Sequence, residues 1–444
     1  MPLILVSISV VVLLLLIMKF NMNTFISLLI VSILLGLALN IPLPKLIPVI
    51  EKGIGDQLGE LVLIFGLGAI LGRLVTDAGG AHQIAGSLAR RFGRKRIQIA
   101  VVLASFIVGI ALFFEVGLVL LLPIIAEIGL ALDVPLLYVG MPMVAALMTT
   151  HGFLPPHPAP TALVQSFHAN MAHVLIAGIA VAIPTVVLGG ILLNRLLYHL
   201  MPSVYAHAGS DDLIDKKVHF DEQKLPSLAL SILTCLLPVI LMILTTILTG
   251  LFSPPPRVSQ IIRLAGSPPI AMIISVLFAI YSMGIRQHRS TDEIEKTVGR
   301  AIRQIAMLLL IIGAGGALKQ VMIDGGVGDY VAHIFKGTPL PPLILSWVIT
   351  VLLRTAIGSS TVAALTAAGI VSPMVAKAGI NPTFIVLATG AGSVFCGHVN
   401  DPGFWLFKEY FDVSLKETFK TYTLLGCTIS VIGIVCIYLL SLAF

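Results

Sequence analysis

Residues 151–160 read His151-Gly152-Phe153-Leu154-Pro155-Pro156-His157-Pro158-Ala159-Pro160, and they close an apolar stretch that begins at residue 136. Four prolines crowd into its last six positions. Each removes a backbone donor and restricts the residue before it, so a helix entering at 136 cannot pass through. The freed amides and carbonyls, with two imidazoles beside them, make a polar patch inside an apolar span. Gly397-His398-Val399-Asn400-Asp401-Pro402-Gly403 interrupts the stretch 383–407 in the same way. His151 and His398 stand 247 residues apart, as do Pro155 and Pro402, Pro135 and Pro382, and Val139 and Val386. At that spacing Gly66-Leu-Gly-Ala-Ile-Leu-Gly-Arg-Leu-Val-Thr-Asp77 lies over Gly313-Ala-Gly-Gly-Ala-Leu-Lys-Gln-Val-Met-Ile-Asp324. One ungapped offset for all these matches indicates an internal repeat.

The chain around the breaks is suited to lipid. Of its 444 residues, 57% are hydrophobic and 11% charged, against roughly 25% charged in a soluble domain. Mean hydropathy is +1.05. A net charge of +6 without a solvated basic face excludes a nucleic-acid binder. Cys235, Cys396, Cys427 and Cys436 lie in apolar stretches without ligand spacing and read as small hydrophobes. Residues 1–18 show neither a basic n-region nor a small-residue cleavage site, so a first span is expected there.

A spanning helix needs about 20 apolar residues. The expected spans are 2–18, 22–40, 58–77, 136–158, 172–198, 228–252, 268–285, 303–323, 383–407 and 420–443. Two further stretches, 97–130 and 340–376, are too long for one crossing. They break at Phe113-Phe114-Glu115-Val116-Gly117 and at Gly358-Ser359-Ser360-Thr361, and re-entrant hairpins are expected, with two plain crossings each as the alternative. The fold class is an all-α polytopic membrane protein of two repeats, 1–200 and 228–444, joined by a cytoplasmic linker at 201–227. Each repeat holds about five crossings, a hairpin and a broken helix (136–160 and 383–407). An odd number of crossings inverts the second copy. Lys and Arg then fall about three to one on one side, led by the run Arg90-Arg91-Phe92-Gly93-Arg94-Lys95-Arg96. That bias makes this side cytoplasmic and puts both termini outside.

Ionisable and hydroxylated residues at depth are the functional candidates. Glu115 sits between Phe113, Phe114, Val116 and Leu118, an apolar setting that favours a protonatable carboxyl, so it is the first candidate for proton coupling. Asp401 is the second, with the alternative of capping the half-helix that follows. Gly358, Ser359, Ser360 and Thr361 offer hydroxyls and, at a helix break, amides suited to a carboxylate. Arg354 is expected either to clamp an anion or to anchor a span end. His151, His157, His398 and Asn400 complete the binding set. Arg73 and Lys319 read as pairing charges.

Four of these segments carry a family resemblance: His151-Gly-Phe-Leu-Pro-Pro-His-Pro158; Leu310-Ile-Ile-Gly-Ala-Gly-Gly-Ala317 with Lys319-Gln-Val321; His398-Val-Asn-Asp-Pro-Gly-Phe-Trp-Leu-Phe-Lys-Glu-Tyr-Phe411; and the tip Phe114-Glu115-Val116-Gly117. Nearly end to end, the chain resembles the gluconate:proton symporter (gluconate permease) family. The resemblance implies a secondary active transporter, not an enzyme. It would import gluconate or a close sugar acid with protons, as a homodimer of the bacterial inner membrane moving elevator-fashion, and without cofactor. A symporter for D-serine or another small organic anion, sodium-coupled at the Ser/Thr tip, is the alternative. A metalloenzyme using His151, His157 and His398, or a passive channel, is weaker: there is no HExxH, and the proline breaks suit transport better. No Walker-type loop is present, so direct ATP drive is not expected. Ser360 where many members have Ala, and Ala159 where Gly is frequent, bear on selectivity.

Overall fold

The structure, a computed structural model, describes residues 2–155, 157–209, 225–252, 255–335, 340–378 and 381–442. Every regular element among them is helical. α1 (Pro2–Met18) and α2 (Thr24–Ala38) form a hairpin in which Asn23 caps α2 through the Phe25 and Ile26 amides. α3 (Leu43–Asp77), α4 (Gly80–Ala111), α5 (Phe114–Leu132), α6 (Leu136–Phe153) and α7 (Pro158–Ser166) follow. α8 (Met171–Thr185) runs through a π-helical turn at Val186–Leu192 into α9 (Leu193–Leu200), and α10 (Pro202–His207) ends the first half. The linker expected at 201–227 is described only at 201–209 and 225–227; the rest lies outside the described residues.

The second half begins with α11 (Leu228–Leu251), α12 (Pro256–Ala265) and α13 (Pro268–Ala279). Then come α14 (Thr291–Asp324), α15 (Val327–Phe335), α16 (Pro342–Ile357) and α17 (Ser360–Ala378). α18 (Pro382–Ser393), α19 (Pro402–Tyr410), α20 (Leu415–Thr418) and α21 (Leu424–Ser441) complete it. Among the described residues, eight helical segments are long and apolar enough to cross a membrane.

Element order recurs between the halves. Asp77 ends α3 and Asp324 ends α14; Gly80 opens α4 and Val327 opens α15. The helix that is whole in the first half is kinked at Gly93 (φ 61°, ψ 174°), a backbone region essentially reserved for glycine, and its counterpart is split into α15 and α16.

Two boundaries differ from expectation for the same reason. α3 begins at Leu43, not 58, and α14 at Thr291, not 303. Both early segments carry charges that break an apolar run without breaking a helix. In α3 these are Glu51, Lys52 and Asp56, all exposed, with Lys52 and Asp56 paired one turn apart. In α14, Ser290 and Glu293 form a capping box that starts the helix ahead of its apolar part.

α3 and α14 lie along each other in the most extensive helix pairing of the fold. Glycines set their separation. A Cβ on Gly53 would lie 2.4 Å from the Gly316 carbonyl oxygen, and one on Gly316 would lie 2.4 Å from Gln57 Cβ. At one end of the seam Asp77 gathers Arg73 (2.9 Å), Arg300 (2.7 Å) and the Thr297 hydroxyl (3.0 Å), tying the end of α3 to the start of α14.

The seam makes a sharp comparison possible. Gly316→Ala should cost about 1–3 kcal/mol by overpacking. Gly315→Ala, whose Cβ would meet nothing within 4 Å, should be nearly silent. Thermal melts of the two purified variants test this, and equal midpoints would show that α3 and α14 do not meet at Gly316.

Candidate functional site

Four helices stop inside the fold, each for a local reason. α6 ends at Phe153 because Pro155 disfavours helical backbone at Leu154, which is extended (φ −112°, ψ 126°). α7 restarts with Pro158 at its first position, where a missing N–H costs nothing. In the second half Asp401 (φ −104°, ψ 124°) precedes Pro402, which opens α19. The break between α16 and α17 turns on Gly358 at φ 80°, and a Cβ there would lie 2.3 Å from the Asn400 carbonyl oxygen. The fourth break, at Leu112 and Phe113, puts Glu115 in the first turn of α5.

The breaks meet around one cavity of about 360 Å3. Phe113 and Glu115, Pro158, Ser359 to Val362, and Asn400 to Pro402 line it, so the N-termini of α5, α7, α17 and α19 all border the same space. His151 and Gly358 line it too. Helix N-termini carry partial positive charge and unsatisfied amides, which makes their convergence an anion site. At α19 the first amides are already used: Pro402 has none, and Asp401 Oδ1 accepts from Gly403 N at 3.0 Å. α17 is the more open end, since its Val362 amide meets Ser359 Oγ only at 3.4 Å.

Two buried polar atoms at the cavity have no hydrogen-bond partner among the described residues: His151 Nδ1 and Asn400 Oδ1. Asn400 turns its amide nitrogen to the carbonyls of Thr355 (3.0 Å) and Ala356 (3.1 Å) at the end of α16. Its oxygen is left to accept, as a hydroxylated ligand requires.

Three expected binding residues lie behind the wall. His157 is buried against the Gly109 carbonyl and stacks edge-on against His151, with ring centroids 5.2 Å apart. His398 Nε2 pairs with the Thr355 carbonyl at 2.8 Å. Arg354, 4% exposed, does not line the cavity. It donates Nη2 to Asp401 Oδ2 at 2.5 Å and Nη1 to the Gly358 carbonyl. Tyr422 Oη donates to the same Asp401 oxygen at 2.9 Å. Arg354 therefore holds the two breaks of the second half together, and Asp401 carries a cap, an ion pair and a hydroxyl bond at once.

Gln57, Leu61 and Lys319 come into the cavity from the α3–α14 seam; sequence reasoning passed over Gln57 and Leu61 and read Lys319, a charge at depth, as a pairing charge rather than a binding residue. Lys319 Nζ donates to Gln57 Oε1 at 2.8 Å. A lysine inside the glycine-rich run of an apolar span was the available signal.

Broken helices that meet at a polar cavity within an all-helical membrane protein are a transporter architecture. The chain belongs to the GntP permease family, whose model, described as "GntP family permease", matches residues 1–443. It is 51% identical to a gluconate permease of Bacillus subtilis (strain 168) and 46% identical to a high-affinity gluconate transporter of Escherichia coli (strain K12), each over the whole of both chains. It is 42% identical to the Gnt-II system L-idonate transporter of Escherichia coli (strain K12), over 98% of each chain. The solved YdaH transporter of Alcanivorax borkumensis matches 95% of this chain and 98% of its own at a TM-score of 0.47 and 16% identity. The protein is a multi-pass membrane permease, not an enzyme.

The Arg354–Asp401 pair makes a prediction about stability. Asp401→Asn or Arg354→Leu leaves one buried charge unmatched and should cost about 3–5 kcal/mol, whereas the double change should cost less than the sum of the two. Melting curves of the three variants in detergent measure the coupling, and strict additivity would mean that the two groups do not interact.

Proposed function

We propose that the chain imports gluconate or a closely related sugar acid by proton symport. The observation that carries this reading is the cavity itself. Four helix N-termini and the Ser359–Thr361 hydroxyls suit a carboxylate, while the unpartnered Asn400 oxygen and His151 nitrogen suit a polyhydroxy chain. The gluconate and L-idonate named for its relatives are molecules of this kind. Glu115 is the proton carrier, in the first turn of α5 and at the cavity's edge. Asp401 is the less suited carboxylate, because losing its charge would strand Arg354.

Transport moves the two hairpins (α4–α5 and α16–α17) and the broken helices (α6–α7 and α18–α19) against the α3–α14 seam in an elevator motion, within a homodimer of the bacterial inner membrane. The two halves are inverted and both termini face outward. Asp77 meets Arg289 and Arg300, and His207 meets Glu417, so the members of each group share one side of the fold.

Glu115→Gln tests the proposal. In proteoliposomes this variant should lose pH-driven gluconate accumulation and retain counterflow exchange, because a neutral side chain still permits loading but carries no proton. Accumulation equal to wild type would remove Glu115 from the mechanism, and wild-type protein that accumulates no sugar acid under a pH gradient would overturn the function.

A further inference from the structure

Where α4 turns at Gly93, Arg90 and Arg91 stand before the kink and Arg94, Lys95 and Arg96 after it. All five are exposed, and no side chain among them has a hydrogen bond or an ion pair among the described residues. Exposed cations elsewhere are matched: Lys52 by Asp56, Lys296 by Asp292 and Arg300 by Asp77. Adjacent cations without counter-ions repel one another, so a surface that gathers them is completed by anions. The segment 210–224, outside the described residues, carries five acids and three lysines, a net charge of −2 against the five cations at the kink. Even all of it would leave the kink positive.

The kink also stands at the rim of an apolar surface. Ile99, Leu103 and Ile107 follow on α4 at four-residue intervals, all exposed, a face that lipid chains cover. A second helix repeats the arrangement beside it. The Tyr138 carbonyl accepts from Gln98 Nε2 (2.9 Å) and from Asn194 Nδ2 (2.8 Å), which fixes α4 and α9 at a common depth. Arg195 Nε donates to Gln98 Oε1 at 3.3 Å and brings a further cation to the rim. Exposed Leu188, Leu192, Leu196 and Leu200 form the matching stripe along α9 and the π-helical turn before it. Cations above two apolar stripes offer charge to a phosphate and hydrocarbon to its chains. Free phosphate would leave the stripes bare. A second copy of the chain fits worse, because twofold pairing on this face would set the cations against their own copies.

We propose that the Gly93 elbow of α4, with Arg195 beside it, is a binding site for an anionic phospholipid. The arginines and Lys95 hold the headgroup phosphate, and the chains lie along Ile99, Leu103 and Ile107. The place gives the lipid leverage on the fold. Before the elbow α4 starts against α11, where a Cβ on Gly80 would lie 3.3 Å from Ser231 Oγ. Beyond the elbow it runs to Leu112 at the break that borders the cavity. The lipid grips the joint between these two parts. This inference uses the membrane-permease class alone and is independent of the substrate.

The test titrates the full-length protein, purified in a neutral detergent, with short-chain phosphatidylglycerol, phosphatidylcholine or inorganic phosphate and follows the thermal midpoint. For wild type, phosphatidylglycerol should raise the midpoint at concentrations about tenfold or more below those phosphatidylcholine needs. The difference should shrink as salt rises from about 0.05 to 0.5 M. Changing Arg94 and Lys95 together to Gln should raise the half-saturating phosphatidylglycerol concentration about tenfold or more, at roughly fivefold per cation, and leave phosphatidylcholine unaffected. Arg94→Lys, which keeps the charge, should retain most of the effect. Arg257→Gln with Arg263→Gln, at equally exposed positions on α12, should change nothing. Equal half-saturation by the two lipids in wild type overturns the proposal. So does a wild-type response in the Arg94/Lys95 variant, an equal loss in the α12 variant, or a full shift produced by inorganic phosphate. If the Arg94/Lys95 variant does not fold, the lipid preference of wild type and its salt dependence decide alone.

Discussion

A helix that stops inside an apolar environment leaves backbone groups with no water to satisfy them, and this chain stops four helices there. Much of the site is the answer to that constraint. The carbonyls at the end of α16 take His398, Asn400 and Arg354, and the Gly109 carbonyl near the end of α4 takes His157. Pro158 and Pro402 open their helices with no donor to satisfy. After these arrangements, the N-termini that border the cavity are the places where backbone polarity is least spent. The fold thus produces an anion site by failing to cover it, and the polar residues beside it serve partly as structural repairs.

This explains which parts of the site were legible in the sequence. The breaks were legible because proline, Asn-Asp-Pro and Gly-Ser-Ser-Thr act locally, on the residue before or the turn after. The binding set around them was legible in position but mixed in role. Glu115, His151, Ser359, Ser360, Thr361 and Asn400 reach the cavity, while His157, His398 and Arg354 hold the walls. Nothing local distinguishes the two groups. Which way Arg354 points depends on Asp401, a residue 47 positions away on another broken element. Gln57 and Lys319 were harder still, since only the α3–α14 crossing brings 57 beside 319.

The helix starts were misread for a related reason. Apolar windows find the part of a helix that faces lipid or core, and the solvated ends of α3 and α14 carry their charges on an open face. The Ser290–Glu293 box was readable and marks the true start of α14. No such box precedes α3, whose opening Pro42-Leu43-Pro44 resembles a loop as much as a first turn.

The two halves share a backbone plan but not a chemistry. His151 and His398 are equivalent positions and each leaves Nδ1 without a partner among the described residues, yet His151 lines the cavity while His398 bonds the Thr355 carbonyl behind it. Glu115 corresponds to Val362, and Lys319 to Gly72. The shared plan lies in the breaks and in the α3–α14 seam. The lost symmetry lies in the side chains at the cavity, which govern what can ride.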